Sequence, residues 1–336
     1  MSRTPHLVEV GAGQFAWLQP DGAWGLNNAG LVVDGDQSLL VDTLYDRKRT
    51  QVMVDAMRAA TSAAASIDTL VNTHANGDHC YGNGVAEAAE IIASARASAE
   101  MAELPPEMVA KLMKVSRTLS SLGPVRPGLG ALAGLLGLKK LAWMAEAAPF
   151  VKQIFAAFDF EDLAPQDPTR TFEGTLELTV GDRRVELIEL GPAHTKGDVI
   201  VWVPDSKVVY TGDLLFIGGH PVAWEGPVSN WIAACQAILD LGAETVVPGH
   251  GPLTDAAGVR AVLEYLQTLE AETKARHAAG MSRDDCIAEL YAVLQPTWTE
   301  RERVAVNVST VYRELDGSEP MDAIEAFALM ARLALG

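Results

Sequence analysis

His74-Ala75-Asn76-Gly77-Asp78-His79 packs four potential ligands into six residues, following Leu70-Val71-Asn72, which reads as a strand. A tight loop at a strand end points alternate side chains inward, so such a cluster can converge on one metal ion. Imidazole and carboxylate together suit zinc, and iron or manganese accept the same donors. Three later segments are built alike: Gly191-Pro192-Ala193-His194-Thr195-Lys196-Gly197-Asp198, Tyr210-Thr211-Gly212-Asp213 and Val247-Pro248-Gly249-His250-Gly251-Pro252. Each is a strand followed by a Gly-containing turn that carries a ligand-type residue to a sheet edge. Taken singly, His250 or Asp213 would be an ordinary turn residue. Their joint occurrence reverses that reading for His74, Asp78, His79, His194, Asp213 and His250. Asn76, placed before a glycine, also reads as a plain loop-capping amide.

The rest of the chain alternates strand and helix around these turns. Short strands are expected at 7–10, 15–18, 30–33 and 38–41, the last after the Asp34-Gly35-Asp36 turn signal, which makes an antiparallel meander. Val52, Val54, Met57 and Ala60 suggest a helix over 47–60, and 67–72 reads as a buried strand. A helix near Gly82 and a strand at 91–94 complete an α/β layer arrangement. From 98 to about 160 the pattern changes to a Met-, Leu- and Ala-rich run broken by Pro105, Pro106, Pro124, Pro127 and Pro149, which reads as an inserted group of helices. Strands return at 176–180, 184–189, 199–203 and 208–211, then a helix at 231–241 and a strand at 245–248. Strands followed by helix thus occur twice, in 1–100 and in 170–255. Residues 256–336 are helical in pattern, punctuated at 317–320, which divides the chain into a domain of 1–255 and a helical C-terminal extension.

The succession His-x-x-x-Asp-His, Gly-x-x-His-Thr-x-Gly-Asp, Thr-Gly-Asp, Pro-Gly-His-Gly resembles the metallo-β-lactamase superfamily of metallo-hydrolases, over residues from about 7 to 255. The resemblance implies an α/β fold, the four-layer αββα sandwich, and so accounts for the coarse duplication. It also implies a dinuclear centre in which His74 and His194 belong to one metal site, Asp78, His79 and His250 to the other, and Asp213 bridges them. The family loop reads His-x-His-x-Asp-His, and here its middle histidine is Asn76. An amide oxygen is a poorer zinc ligand than imidazole, so one tightly held ion is expected, with a second bound weakly or absent.

The chemistry implied is hydrolysis of an ester, thioester, lactone or amide carbonyl by metal-bound hydroxide, since a bound ion lowers the pKa of water to about 7 and polarises the carbonyl. Asp78 is placed to orient that water or pass its proton on, and a depleted first site would free His74 or His194 as general base or oxyanion partner. The apolar inserted helices favour a fairly hydrophobic substrate. Cyclases and thioesterases of polyketide type, and iron-dependent oxidoreductases of the same fold, are the alternatives. His220, in the loop after Asp213, and Trp224 are candidates for the substrate pocket. Trp24 and Trp231 read as pocket or core. His6 and His277 look solvated, while Cys80, Cys235 and Cys286 look like small buried residues.

Composition excludes several partners. The formal charge is −18, from 26 basic and 44 acidic side chains, which opposes binding to a phosphate backbone. The longest low-charge run, 127–138, falls short of the roughly 20 residues of a membrane span, so no membrane partner is expected. An odd number of cysteines without CxxC spacing and a start without an apolar leader suggest a cytoplasmic protein acting on a small molecule. The C-terminal helices could cover the core or make a homodimer interface.

Overall fold

The structure is a computed structural model and describes residues 4–336 except positions 20, 104 and 124. Pro124, expected to break a helix, and the first three residues, read as part of a leaderless start, therefore lie outside the described residues. The first sheet has seven strands in sequence order: β1 (His6–Gly11), β2 (Gln14–Leu18), β3 (Ala29–Asp34), β4 (Gln37–Val41), β5 (Thr69–Val71), β6 (Glu90–Ser94) and β7 (Arg170–Phe172). β1 to β4 form the expected antiparallel meander, and β4 to β7 run parallel. The second sheet is ordered β12-β11-β10-β9-β8 and comprises β8 (Thr175–Val180), β9 (Arg183–Glu189), β10 (Val199–Val203), β11 (Val208–Tyr210) and β12 (Thr245–Val247).

Period-two alternation decides how these sheets stack, because successive side chains leave opposite faces. In β3 and β4, Val32, Leu39 and Val41 face inward, where they meet Leu187 of β9, Val199, Val201 and Val203 of β10 and Tyr210 of β11. Their neighbours Leu31, Val33 and Leu40 face outward onto Met53, Val54 and Met57 of α1 (Arg47–Ala60). β10, Val-Ile-Val-Trp-Val, is buried at every position, as a strand covered on both faces must be. Its outward Ile200 and Trp202 pack under the second helical layer. The result is the expected αββα sandwich.

Further helices follow in chain order. α2 (Gly77–Cys80) and α3 (Asn83–Ala86) are single turns: the helix expected to begin near Gly82 starts at Asn83 and lasts one turn, and α2 before it was not expected. The insertion holds α4 (Ala95–Glu103), α5 (Pro106–Ser121), α6 (Val125–Leu135) and α7 (Lys139–Phe155). α8 (Val228–Asp240) covers the second sheet, and α9 (Ala256–Ala278), α10 (Arg283–Val293), α11 (Val304–Asp316) and α12 (Ala323–Leu335) complete the chain. These last helices share one apolar core with α8: Trp231, Cys235 and Ile238 meet Val262, Leu266, Leu290, Val308 and Met330. α12 also packs on α7, and Arg332 grips Glu146 with both guanidinium arms at 2.5 and 2.8 Å. β7 was not expected from the sequence, since two of its three residues are exposed and it shows no apolar alternation. No described helix is long and apolar enough to cross a membrane.

Candidate metal centre

Strand ends at one edge of the sandwich deliver every candidate ligand. His74 lies in the loop after β5, Asp78 and His79 on α2, His194 between β9 and β10, Asp213 on the 3-10 turn Gly212–Leu214 after β11, and His250 after β12. All six are buried. Asp213 sits at the centre: its Oδ2 is 3.3 Å from His194 Nε2, 3.4 Å from His250 Nε2 and 3.7 Å from His74 Nε2, and its Oδ1 is 3.1 Å from His79 Nε2. His250 Nε2 is also 3.5 Å from Asp78 Oδ2. Donor atoms of His74, His79 and Asp213 lie within 4.8 Å of one another, as do those of Asp78, His79 and His250.

The opposite ring nitrogens explain why four Nε2 atoms point at one spot. His194 Nδ1 donates to the Val222 carbonyl at 2.7 Å and His250 Nδ1 to the Gly22 carbonyl at 3.2 Å. His79 Nδ1 donates to Asp42 Oδ2 at 2.8 Å. Thr73 gives its hydroxyl proton to the same carboxylate at 2.7 Å, so its oxygen accepts from His74 Nδ1 at 3.0 Å. With each Nδ1 carrying the proton, each Nε2 turns a lone pair inward. His74 Nε2, His79 Nε2, His194 Nε2 and Asp213 Oδ1 are buried without a hydrogen-bond partner. Buried polar atoms are rarely left so, and a set of nitrogen and oxygen donors facing one another is what a divalent cation satisfies. The residues present fit a metal.

A model of the metallo-beta-lactamase superfamily matches residues 22–250, which contain all six of these side chains. The chain belongs to the metallo-beta-lactamase superfamily. Hydroxyacylglutathione hydrolases of Brucella ovis and Brucella abortus are 35% identical to it over 78 residues, 23% of this chain. The chain matches only 30% of the length of these curated relatives. Among solved structures, a metallo-beta-lactamase from Pontibacter korlensis aligns with TM-score 0.53 and 16% identity over 79% of this chain and 99% of that one. A stereoselective inverting sec-alkylsulfatase from Pseudomonas sp. aligns with TM-score 0.62 and 16% identity over 94% of this chain and 51% of that one. At such identities these structures share the fold.

Members of the superfamily hold divalent metal ions, and the fields inside this cluster agree. Burial opposes charge on Asp213, yet His250, His79 and His74 hold its pKa well below the usual carboxylate value. Asp78 is likewise kept low by His79 and His250 against its burial. Burial also disfavours protonation of His79 and His250, but Asp213 outweighs it, aided at His79 by Asp42 and Asp78; His79 rises well above its ordinary value and His250 to about 9. His74 and His194 are lowered, chiefly by burial. Without a cation, protons therefore stand in for it beside the carboxylates.

Supporting residues come from outside the motifs, as Asp42 and Asn28 do, and from within them, as Asp198 and Gly249 do. Asp42, at the end of β4, has φ +61° and accepts from the Thr73 backbone at 2.7 Å as well as from Thr73 Oγ1 and His79. Burial raises its pKa, against the pull of His79. Asn28 donates to the carbonyls of Pro248 and Gly251, at 2.9 and 2.8 Å, and so fixes the turn around His250. Asp198 ties the His194 turn by accepting from Ala193 N, Thr195 N and Thr195 Oγ1. Gly249 is required by contact: a Cβ there would lie 2.0 Å from Asp213 Oδ1.

Asn76 occupies the helix-cap position of α2, but its side chain makes no capping hydrogen bond, which removes the plain capping role. The structure directs His220 away from the substrate-pocket role expected of it. Its ring is fully buried and its two nitrogens face the carbonyls of Thr299 and Leu294 at 2.9 and 3.1 Å, tying the loop to the C-terminal helices. Trp224 joins Trp24, Phe150, Phe155 and Phe327 in an aromatic group contributed by the sandwich, the insertion and α12. It also lines a cavity of about 290 Å³ against α11 and α12. Trp231 is core, donating to the Leu214 carbonyl at 3.0 Å. His277 pairs with Asp316, and His6 with the Thr4 carbonyl. All three cysteines are buried and unpaired.

Proposed function

We propose that this chain is a metal-dependent hydrolase, using zinc, that cleaves an ester, thioester, lactone or amide carbonyl of a fairly hydrophobic substrate. The observation that carries the reading is the convergence of four imidazole Nε2 atoms on Asp213, three of them buried and unpartnered. His79, His250, Asp78 and Asp213 would hold the tight ion, with His74 and His194 completing a weaker second site on the side where Asn76 replaces an imidazole. When bound, the ion supplies Lewis acidity and a water acidic enough to ionise near neutral pH.

The chain's own groups do the rest. Asp78, its Oδ2 3.5 Å from His250 Nε2, orients the attacking water and passes its proton towards the leaving group. Where the weaker site is empty, His194, with Nδ1 locked on the Val222 carbonyl, presents Nε2 as a base or, protonated, as an oxyanion partner. The inserted helices, with Leu132, Leu135, Leu136 and Leu138 exposed, support an apolar acyl or alcohol portion. The name of the Brucella relatives, hydroxyacylglutathione hydrolases, supports hydrolysis as the reaction class. Three buried thiols without a disulfide support a reducing compartment, the cytoplasm.

The test is a panel of chromogenic esters, thioesters, lactones and β-lactams, run on chelator-treated protein before and after zinc is restored. Hydrolysis of one class that returns with zinc and vanishes in His79→Ala is the expected outcome. Zinc-loaded protein that cleaves none of the four classes contradicts the reading.

A further inference from the structure

The outer layer of the insertion has a charge opposite to the rest of the molecule. Residues 106–140 contain Lys111, Lys114, Arg117, Arg126, Lys139 and Lys140 against Glu107 alone, 6 − 1 = +5, so the remaining chain carries −18 − 5 = −23. Lys111, Lys114, Arg117 and Lys139 are exposed and form no ion pair among the described residues; Lys140 pairs with Asp322 at 2.8 Å. An acidic protein has many carboxylates with which to neutralise cations, and these it leaves open.

The same stretch concentrates exposed apolar surface. Of the eleven large apolar side chains exposed among the described residues, seven fall between Met108 and Leu138. Val125 is 69% exposed, Leu135 86% and Leu136 66%. In α6 only Ala133 is buried, and three of its four valine and leucine side chains, Val125, Leu132 and Leu135, are exposed although the helix packs on α7. A helix gains most of its stability from burying an apolar face, and α6 has little buried within the molecule.

Leu135, Leu136 and Leu138 run directly into the unpaired Lys139, and α5, which carries Lys111 and Lys114, packs on the same α7 as α6; exposed leucines together with unpaired lysines are the two components of a surface that lies on an anionic bilayer, with the apolar side chains at the headgroup boundary and the cations on the headgroups. A second copy meeting this face about a two-fold axis would set +5 against +5, and nucleic acid would leave the leucines uncovered. We propose that α5, α6 and the start of α7 form a docking surface for membranes rich in anionic lipid. The proposal is independent of the hydrolase reading.

Co-sedimentation of the full chain with phosphatidylcholine vesicles, with and without phosphatidylglycerol, tests it. Binding only to the phosphatidylglycerol vesicles is expected, falling about tenfold or more in Lys111→Glu/Lys114→Glu/Lys139→Glu and in high salt. Leu135→Asp/Leu136→Asp is expected to abolish binding while metal content and thermal melting stay as in the parent, since both side chains are exposed. Equal binding to both vesicles, absence of binding, or a parent dimer that Leu135→Asp/Leu136→Asp converts to monomer in light scattering would overturn the proposal.

Discussion

Asp42 touches no candidate metal-facing atom, yet it sets two of the four imidazoles: His79 directly, and His74 through Thr73. Carboxylates in this position fix ring orientation and raise donor strength, and their loss commonly costs tenfold to about a hundredfold in metal affinity. Asp42→Ala is accordingly expected to weaken zinc binding by about that factor in a competition titration against a chromogenic chelator; an unchanged affinity would remove Asp42 from the account. The six motif side chains were legible because each is a ligand type on a turn after a strand. Asp42 was not, because it is one acidic residue after Leu39-Leu40-Val41, 37 positions from His79, and only the pairing of β4 with β5 brings the two together. Gly22 and Val222 were hidden for a further reason: they act through backbone carbonyls, which every residue possesses.

Strands were read from alternation and buried runs, and those with a clear apolar pattern were found; β7, three residues long with two of them exposed, carries no such signal. The C-terminal helices were legible as helices, but not which surface they cover: they share an apolar core with α8, and single polar groups, which carry no periodic signal, fasten them to the loop after Asp213. Asn307 of α11 accepts from Ala223 N at 2.8 Å and donates to the Pro221 carbonyl and to Tyr265 Oη, both at 2.9 Å. Thr310 donates to the Ala223 carbonyl, and Arg303, fully buried between the rings of Trp24 and Phe216, donates to the His220 carbonyl at 2.8 Å. These bonds hold the loop that supplies Val222 to His194. Asn307→Ala leaves buried partners unsatisfied, at a cost of about 1–3 kcal/mol each before relaxation. A lowered denaturant midpoint together with weaker metal binding is expected, and a drop in stability with metal affinity unchanged would show that the staple does not reach the site.

Across the molecule, acidity and metal centre are coupled through pH. In the metal-free chain His250 has a folded pKa of about 9 against 6.5 when unfolded, and His79 is raised as well. A raised pKa contributes stability that is fully present below 6.5 and is lost as pH climbs through about 9. Metal binding must displace these protons, so metal affinity changes in the opposite sense, rising over that interval. Thermal melts with and without zinc should therefore diverge as pH goes from 6.5 to 9, the metal-free midpoint falling while the stabilisation by zinc grows; parallel curves would contradict the charge assignment. The central claim is that one complete set of donors, His79, His250, Asp78 and Asp213, stands beside a set depleted at Asn76. Its most direct test is the metal content of purified protein by elemental mass spectrometry before and after brief dialysis against a weak chelator. One divalent ion per chain should survive dialysis, any second being removed, whereas two ions retained equally, or none bound at all, would contradict it.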